Sequence, residues 1–313
     1  MKHENIIFCL FLIFTFSFSS CRKVASDVDP PKFIQKLVVN VFLSPDKTEN
    51  NIFISSNEKR FGELTGNFEP FGNASLYIYE NSKEIQFDTV REGYFNRGYN
   101  YCIKNFKFKE GQTYNLKVIS DLGLEAEATC KIPLKRDFQI TVDTTFRKTT
   151  DDHGFKISIL NAKISITDFP GEANYYRLFY LYETYYPASP HKKHLSYKDA
   201  IESVIPDWAE YNAWENDHVS NDIGLDGKKF ILRTIEFQPV YLDQPSWSDP
   251  DSAFLRVYLL NTDKPYYDFH KSLENYSLGD TPFTEPSFLY SNVKGGLGIF
   301  ASYTLDSLIY RLK

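Results

Sequence analysis

The chain has 313 residues, with 35 Lys and Arg against 41 Asp and Glu and a formal net charge of −6. That mild acidity argues against a nucleic-acid binder, whose footprint is basic, and 42% hydrophobic against 24% charged residues excludes a disordered chain. Twenty-seven Phe and 22 Tyr, against three Trp and one Met, lean the composition towards an all-β protein, because Phe and Tyr suit the pleated surface of a strand.

The N-terminus, MKHENIIFCLFLIFTFSFSSC, joins a short polar start to an apolar run from Ile6 to Phe18. A run of about 13 residues is too short to span a ~30 Å hydrocarbon core as a helix, but it suits the apolar stretch of a secretory leader. Ser19 and Ser20 then precede Cys21. Residues 1–20 therefore read as a signal peptide, and the closing cysteine resembles a bacterial lipoprotein signal in which Cys21 becomes the lipidated N-terminus. An ordinary leader with an incidental cysteine is the plainer alternative. Residues 21–35, polar and closed by Pro30-Pro31, read as a tether between lipid and fold.

The remainder is expected to form two β-sandwich-like domains, mostly antiparallel. Residues 36–136 read as an Ig-like sandwich with strands at Lys36–Leu43, Asn73–Glu80, Tyr101–Phe108, Gln112–Ser120 and Leu124–Ile132. These recur with turn chemistry between them. In Asn73–Glu80, Ala74, Leu76 and Ile78 alternate with Ser75, Tyr77 and Tyr79, the period of a half-buried strand.

Residues 137–313 read as a second β-rich domain with helical insertions. Its strands are expected at Lys156–Ile166, Asn174–Glu183, Lys228–Phe237, Ala253–Asn261, Leu297–Thr304 and Ser307–Leu312, with a turn at Asp168-Phe169-Pro170-Gly171. Two segments carry helical spacing instead. Ser196–Trp214 opens with a capping-box-like Ser196-x-x-Asp199, and Pro206 would kink it. Pro265–Tyr276 places Tyr266, Phe269, Leu273 and Tyr276 on one stripe, with Pro265 near the first turn.

Four pieces of the chain carry a family resemblance: KLVVNVFLSPD at Lys36–Asp46, GEANYYRL at Gly171–Leu178, NDIGLDGKKFIL at Asn221–Leu232, and TPFTEPSFLYSNVKGGLGIFASY at Thr281–Tyr303. With the lipoprotein start, they resemble the Bacteroidota outer-membrane lipoprotein family known as domain of unknown function 4249, across essentially the whole mature chain. The resemblance implies a place beside TonB-dependent outer-membrane transporters and an accessory role in uptake. It brings no catalytic residue with it. An acidic run directly after the cysteine often accompanies surface export in such lipoproteins. Here Arg22 and Lys23 come first, so cell-surface and periplasmic display both stay open.

Individual motifs point away from an enzyme. The three glycines of SNVKGGLGIF lead into a strand, whereas a phosphate-cradling loop leads into a helix, so a bulge or close backbone approach is expected. His191-x-x-His194 follows Pro187 and Pro190 and lacks further ligands, which reads as a solvated loop. Asp222-x-Gly224-x-Asp226-Gly227 is similar to a calcium loop, but Arg233 stands where the bidentate Glu belongs, and a simple turn is expected. No metal and no cofactor is therefore expected. Cys102 and Cys130 could pair as a disulfide if their strands meet, or stay as buried thiols.

The segment Thr184–Trp214 is the binding candidate, since Tyr185, Tyr186, Trp208, Tyr211 and Trp214 concentrate in an insertion between strands. The expected function is a non-enzymatic envelope lipoprotein, held to the outer membrane by its lipid and assisting a TonB-dependent transporter. Two alternatives stand beside it. One is a surface glycan hydrolase using acids among Asp207, Glu210, Glu215 and Asp217. The other is a purely structural or adhesive envelope module.

Overall fold

A computed structural model describes residues 32–57, 73–95, 98–185, 193–195, 218–236, 240–241, 252–278 and 288–312. These residues form an all-β fold, mostly antiparallel. Seventeen strands run in chain order: β1 Leu37–Leu43, β2 Asn50–Ser56, β3 Ala74–Glu80, β4 Lys83–Glu84, β5 Asp88–Phe95, β6 Gly98–Lys104, β7 Thr113–Ser120, β8 Glu125–Lys131, β9 Thr141–Thr150, β10 Lys156–Thr167, β11 Tyr175–Tyr185, β12 Lys193–Leu195, β13 His218–Asn221, β14 Lys229–Glu236, β15 Val240–Tyr241, β16 Ser252–Thr262 and β17 Leu297–Arg311. One helix, α1 at Lys264–Leu278, lies among the described residues. The other expected helix, Ser196–Trp214, lies outside them.

Three sheets result. The largest has nine strands in the order β12-β11-β16-β17-β1-β2-β6-β5, with β13 also on β11. One small sheet is β4-β3-β7-β8, and the other is β14-β10-β15 with β9 on β10. All elements belong to one unit spanning Gln35–Glu58 and Phe68–Lys313.

The large sheet is joined through its last strand. β17 pairs in parallel with β1 from Val38↔Leu297 to Leu43↔Ser302. It then continues antiparallel to β16 from Thr262↔Tyr303 to Phe254↔Arg311. The two C-terminal strands expected from the sequence are thus one strand of 15 residues. The cores change over between Ile132 and Phe138, near the expected domain junction at residue 136. The large sheet runs across that junction, taking strands from both sides.

Alternation along β17 assigns the faces. Phe300 enters the first core with Leu37, Val39, Val41, Ile78 and Leu116. Leu308 and Tyr310 pack on the second core, against a set that includes Ile164, Tyr176, Leu255, Val257 and Leu259. The positions Ile299, Ala301 and Tyr303 face the other way, into a third cluster with Phe42, Leu260, Tyr266 and Phe269. Side chains alternate across a strand, so both small sheets cover one face of the large sheet and α1 covers the other. Asp263 caps α1, its Oδ1 accepting the Tyr266 N–H at 3.0 Å.

The glycine-rich entry to β17 serves this joint. A Cβ at Gly295 would sit 2.6 Å from the Glu125 carbonyl oxygen, one at Gly296 2.8 Å from that of Leu37, and one at Gly298 2.2 Å from that of Val39. The close backbone approach expected from SNVKGGLGIF is what these residues provide. Asn292 seals it, accepting the Phe300 N–H at 2.9 Å and donating to the Phe300 carbonyl at 2.7 Å.

Candidate functional site

Three carboxylates meet where two loops cross. Asp168 follows β10 in the turn before β11, while Asp222 and Asp226 lie in the loop between β13 and β14. One oxygen from each lies within 4.8 Å of the others, with Asp168 and Asp222 buried and Asp226 exposed. Among the described residues, this is the group of acids gathered closely enough to share a cation.

Main-chain donors hold each acid in place. Asp168 Oδ2 accepts the Gly227 N–H at 2.8 Å, Asp222 Oδ2 accepts that of Asn174 at 2.9 Å, and Asp226 Oδ1 accepts that of Gly171 at 2.8 Å. The Asn174 amide donates to the Phe169 and Glu172 carbonyls at 3.0 and 3.2 Å. The Tyr176 hydroxyl donates to Asp168 Oδ1. Burial, with Asp168 and then Asp222 beside it, pushes the Tyr176 hydroxyl far above its ordinary value, so it stays a donor. Two positive φ values, 85° at Gly171 and 67° at Gly227, make the turns that aim these donors.

Chemically, the arrangement offers hard oxygen ligands of the kind that suit calcium or magnesium. The same oxygens also latch the β10–β11 turn to the β13–β14 loop. Asp222-x-Gly224-x-Asp226 forms the turn expected of it, but nothing in its spacing marks Asp168, far upstream in the chain, as its neighbour. The Asp168-Phe169-Pro170-Gly171 turn is the one signal the sequence offers there.

The other candidate residues divide. Tyr185 ends β11, its backbone opposite Lys193 of β12. Tyr186, Trp208, Tyr211 and Trp214 lie outside the described residues, as do Cys21, His191 and the acids Asp207, Glu210, Glu215 and Asp217. His194 stands in β12 opposite Thr184, rather than in an irregular loop. Strand pairing to β11 overrides the loop signal of the nearby prolines.

Cys102 and Cys130 form no disulfide; both are buried thiols. Their strands do not meet. β6 pairs with β2 and β5 in the large sheet, whereas β8 pairs with β7 in a small one. The Cys102 thiol donates to Glu49 Oε2 at 3.2 Å, and that bond, with Lys104, holds the Glu49 carboxyl below its ordinary value. Burial, with Asp263 nearby, pushes the Cys130 thiol well up, which removes it as a nucleophile. Asp263 accepts the Ser302 hydroxyl at 2.9 Å, and burial pushes its carboxyl up to about 7.

No match was found among curated proteins. A family model described as Domain of unknown function (DUF4249) matches residues 23–308. That match takes in both small sheets, the large sheet through most of β17, and all three carboxylates, and the chain belongs to this family.

Proposed function

We propose that the protein is a lipid-anchored lipoprotein of the cell envelope, a non-enzymatic accessory or binding component that works with a TonB-dependent transporter of the outer membrane. The observation that carries this reading is the order of parts. The apolar leader ends at Cys21, and the family domain begins two residues later, at residue 23. A domain attached so directly to a lipidated cysteine stays at the bilayer, which confines it to two dimensions and raises its effective concentration near a membrane partner. The aromatic segment Thr184–Trp214 begins in the last residues of β11 and supplies the surface for a ligand or for the transporter rim.

The test is a mild-detergent pull-down of the full chain from native membranes, with partners identified by mass spectrometry. Recovery of a TonB-dependent barrel, lost with Trp208→Ala and Trp214→Ala together, is the expected result. Recovery of no barrel refutes the partnership. Release of Cys21→Ser into the soluble fraction is the expected result for the anchor, and its retention on membranes refutes lipidation.

A further inference from the structure

The underside of α1 carries a polar group in an otherwise apolar layer. Arg177 on β11 is 1% exposed and His270 on α1 is 2% exposed. Arg177 Nη1 lies 2.7 Å from the Tyr266 hydroxyl and 2.9 Å from His270 Nε2. A guanidinium keeps its charge and has donors only. Nε2 must therefore accept, which leaves the proton of the neutral ring on Nδ1. Nδ1 has no hydrogen-bond partner among the described residues. Aromatic rings enclose the imidazole, with centroids at 5.5 Å for Phe42, 4.5 Å for Tyr266 and 5.4 Å for Phe269.

We infer that His270 is an acid-sensitive lock on α1: the neutral ring accepts from Arg177 and seats the helix, and protonation frees the helix from the sheet. A proton added at Nε2 would face the guanidinium N–H. It would remove the acceptor and set two cations 2.9 Å apart among aromatic rings. Arg177 lies in a strand bonded on both sides, to Leu260 of β16 and Val219 of β13. The helix is therefore the part that moves. Its departure uncovers Phe42, Leu260, Ile299 and Ala301.

Other titratable groups lie along this layer, Tyr290 packed against its edge among them. α1 contributes Tyr266 and is capped by Asp263; β11 adds Tyr175 against Tyr267, and β17 adds Tyr303 against Tyr266. β1 presents the apolar Phe42, and the Asn221 amide of β13 donates to the Tyr267 hydroxyl. On α1, Lys264 pairs with Asp268 and Lys271 with Glu274. Burial first, and Arg177 second, keep the imidazole well below the ordinary histidine range.

The experiment is hydrogen exchange of α1 amides in the full chain, wild type against His270→Gln, at pH 7.5 and 5.0. Gln keeps an acceptor for Arg177 and cannot take the charge. The ratio of the two opening constants cancels the effect of Asp263, which both proteins share. That ratio should rise about 30-fold on going to pH 5.0, the factor by which proton binding to a released, ordinary histidine further favours the open state over this interval. A flat ratio overturns the lock. If His270→Gln does not fold, nitrogen NMR of the wild-type imidazole decides. The Nδ1–H tautomer at pH 7.5, charging only as α1 loses protection, supports the lock. An Nε2–H tautomer, or charging while α1 stays protected, overturns it.

Discussion

At Gly298 the backbone adopts φ +103°, and a side chain would meet the Val39 carbonyl oxygen. Gly298→Ala should therefore cost several kcal/mol, combining left-handed strain of about 1–2 kcal/mol with a backbone clash that must push β17 from β1. Gly154, at φ +87° with open space around it, should cost only the conformational part on the same change. Urea unfolding of the two variants measures the difference. Asp263 makes a second residue-scale prediction. Its folded-state value of about 7 lies above the ordinary carboxyl value, so the stability it contributes is present below about pH 4 and is lost as pH rises through 7. Asp263→Asn keeps the cap and cannot charge. It should gain about 2–3 kcal/mol on the wild type between pH 5 and pH 8, read from denaturant midpoints at each pH. A gap that does not change with pH would contradict this.

The latch between the β10–β11 turn and the β13–β14 loop ranks its own members. Asp168→Ala strands the buried Tyr176 hydroxyl and the Gly227 N–H without their acceptor, and should cost about 2 kcal/mol or more. Asp226→Ala removes one exposed bond to Gly171 and should cost about 1 kcal/mol or less. Thermal unfolding of both variants tests the order. Elements differ in how plainly the sequence marks them. β10 follows strong alternation, β11 is marked by its aromatic run, and α1 follows a stripe of Tyr266, Phe269 and Leu273 that packs as its spacing predicts. β9 is not marked, because TVDTTFRKTT has little apolar alternation; it is a strand through its register with β10, from Thr141↔Ser165 to Thr150↔Lys156. β2 is marked only weakly although Ile52 and Ile54 alternate, because asparagines crowd its start.

At the scale of the molecule, β17 makes the two cores interdependent. Without it β1 loses its parallel partner, and the first core loses Phe300. Residues 36–136 expressed alone should therefore show no cooperative thermal transition, whereas the full chain should unfold with one. A cooperative fragment would mean that the first core is self-sufficient. By itself the sequence determined the all-β class, most strand positions, a helix over Pro265–Tyr276 and the family, since these depend on local periodicity and on motifs read along the chain. Only the tertiary structure decided that β1 pairs with β17, that Cys102 and Cys130 stand on different sheets, that Asp168 joins Asp222 and Asp226, and that Arg177 meets His270 under α1. Those contacts join residues far apart in the chain. Strand pairing is made by backbone groups that every residue carries, so its partners leave little trace in local sequence.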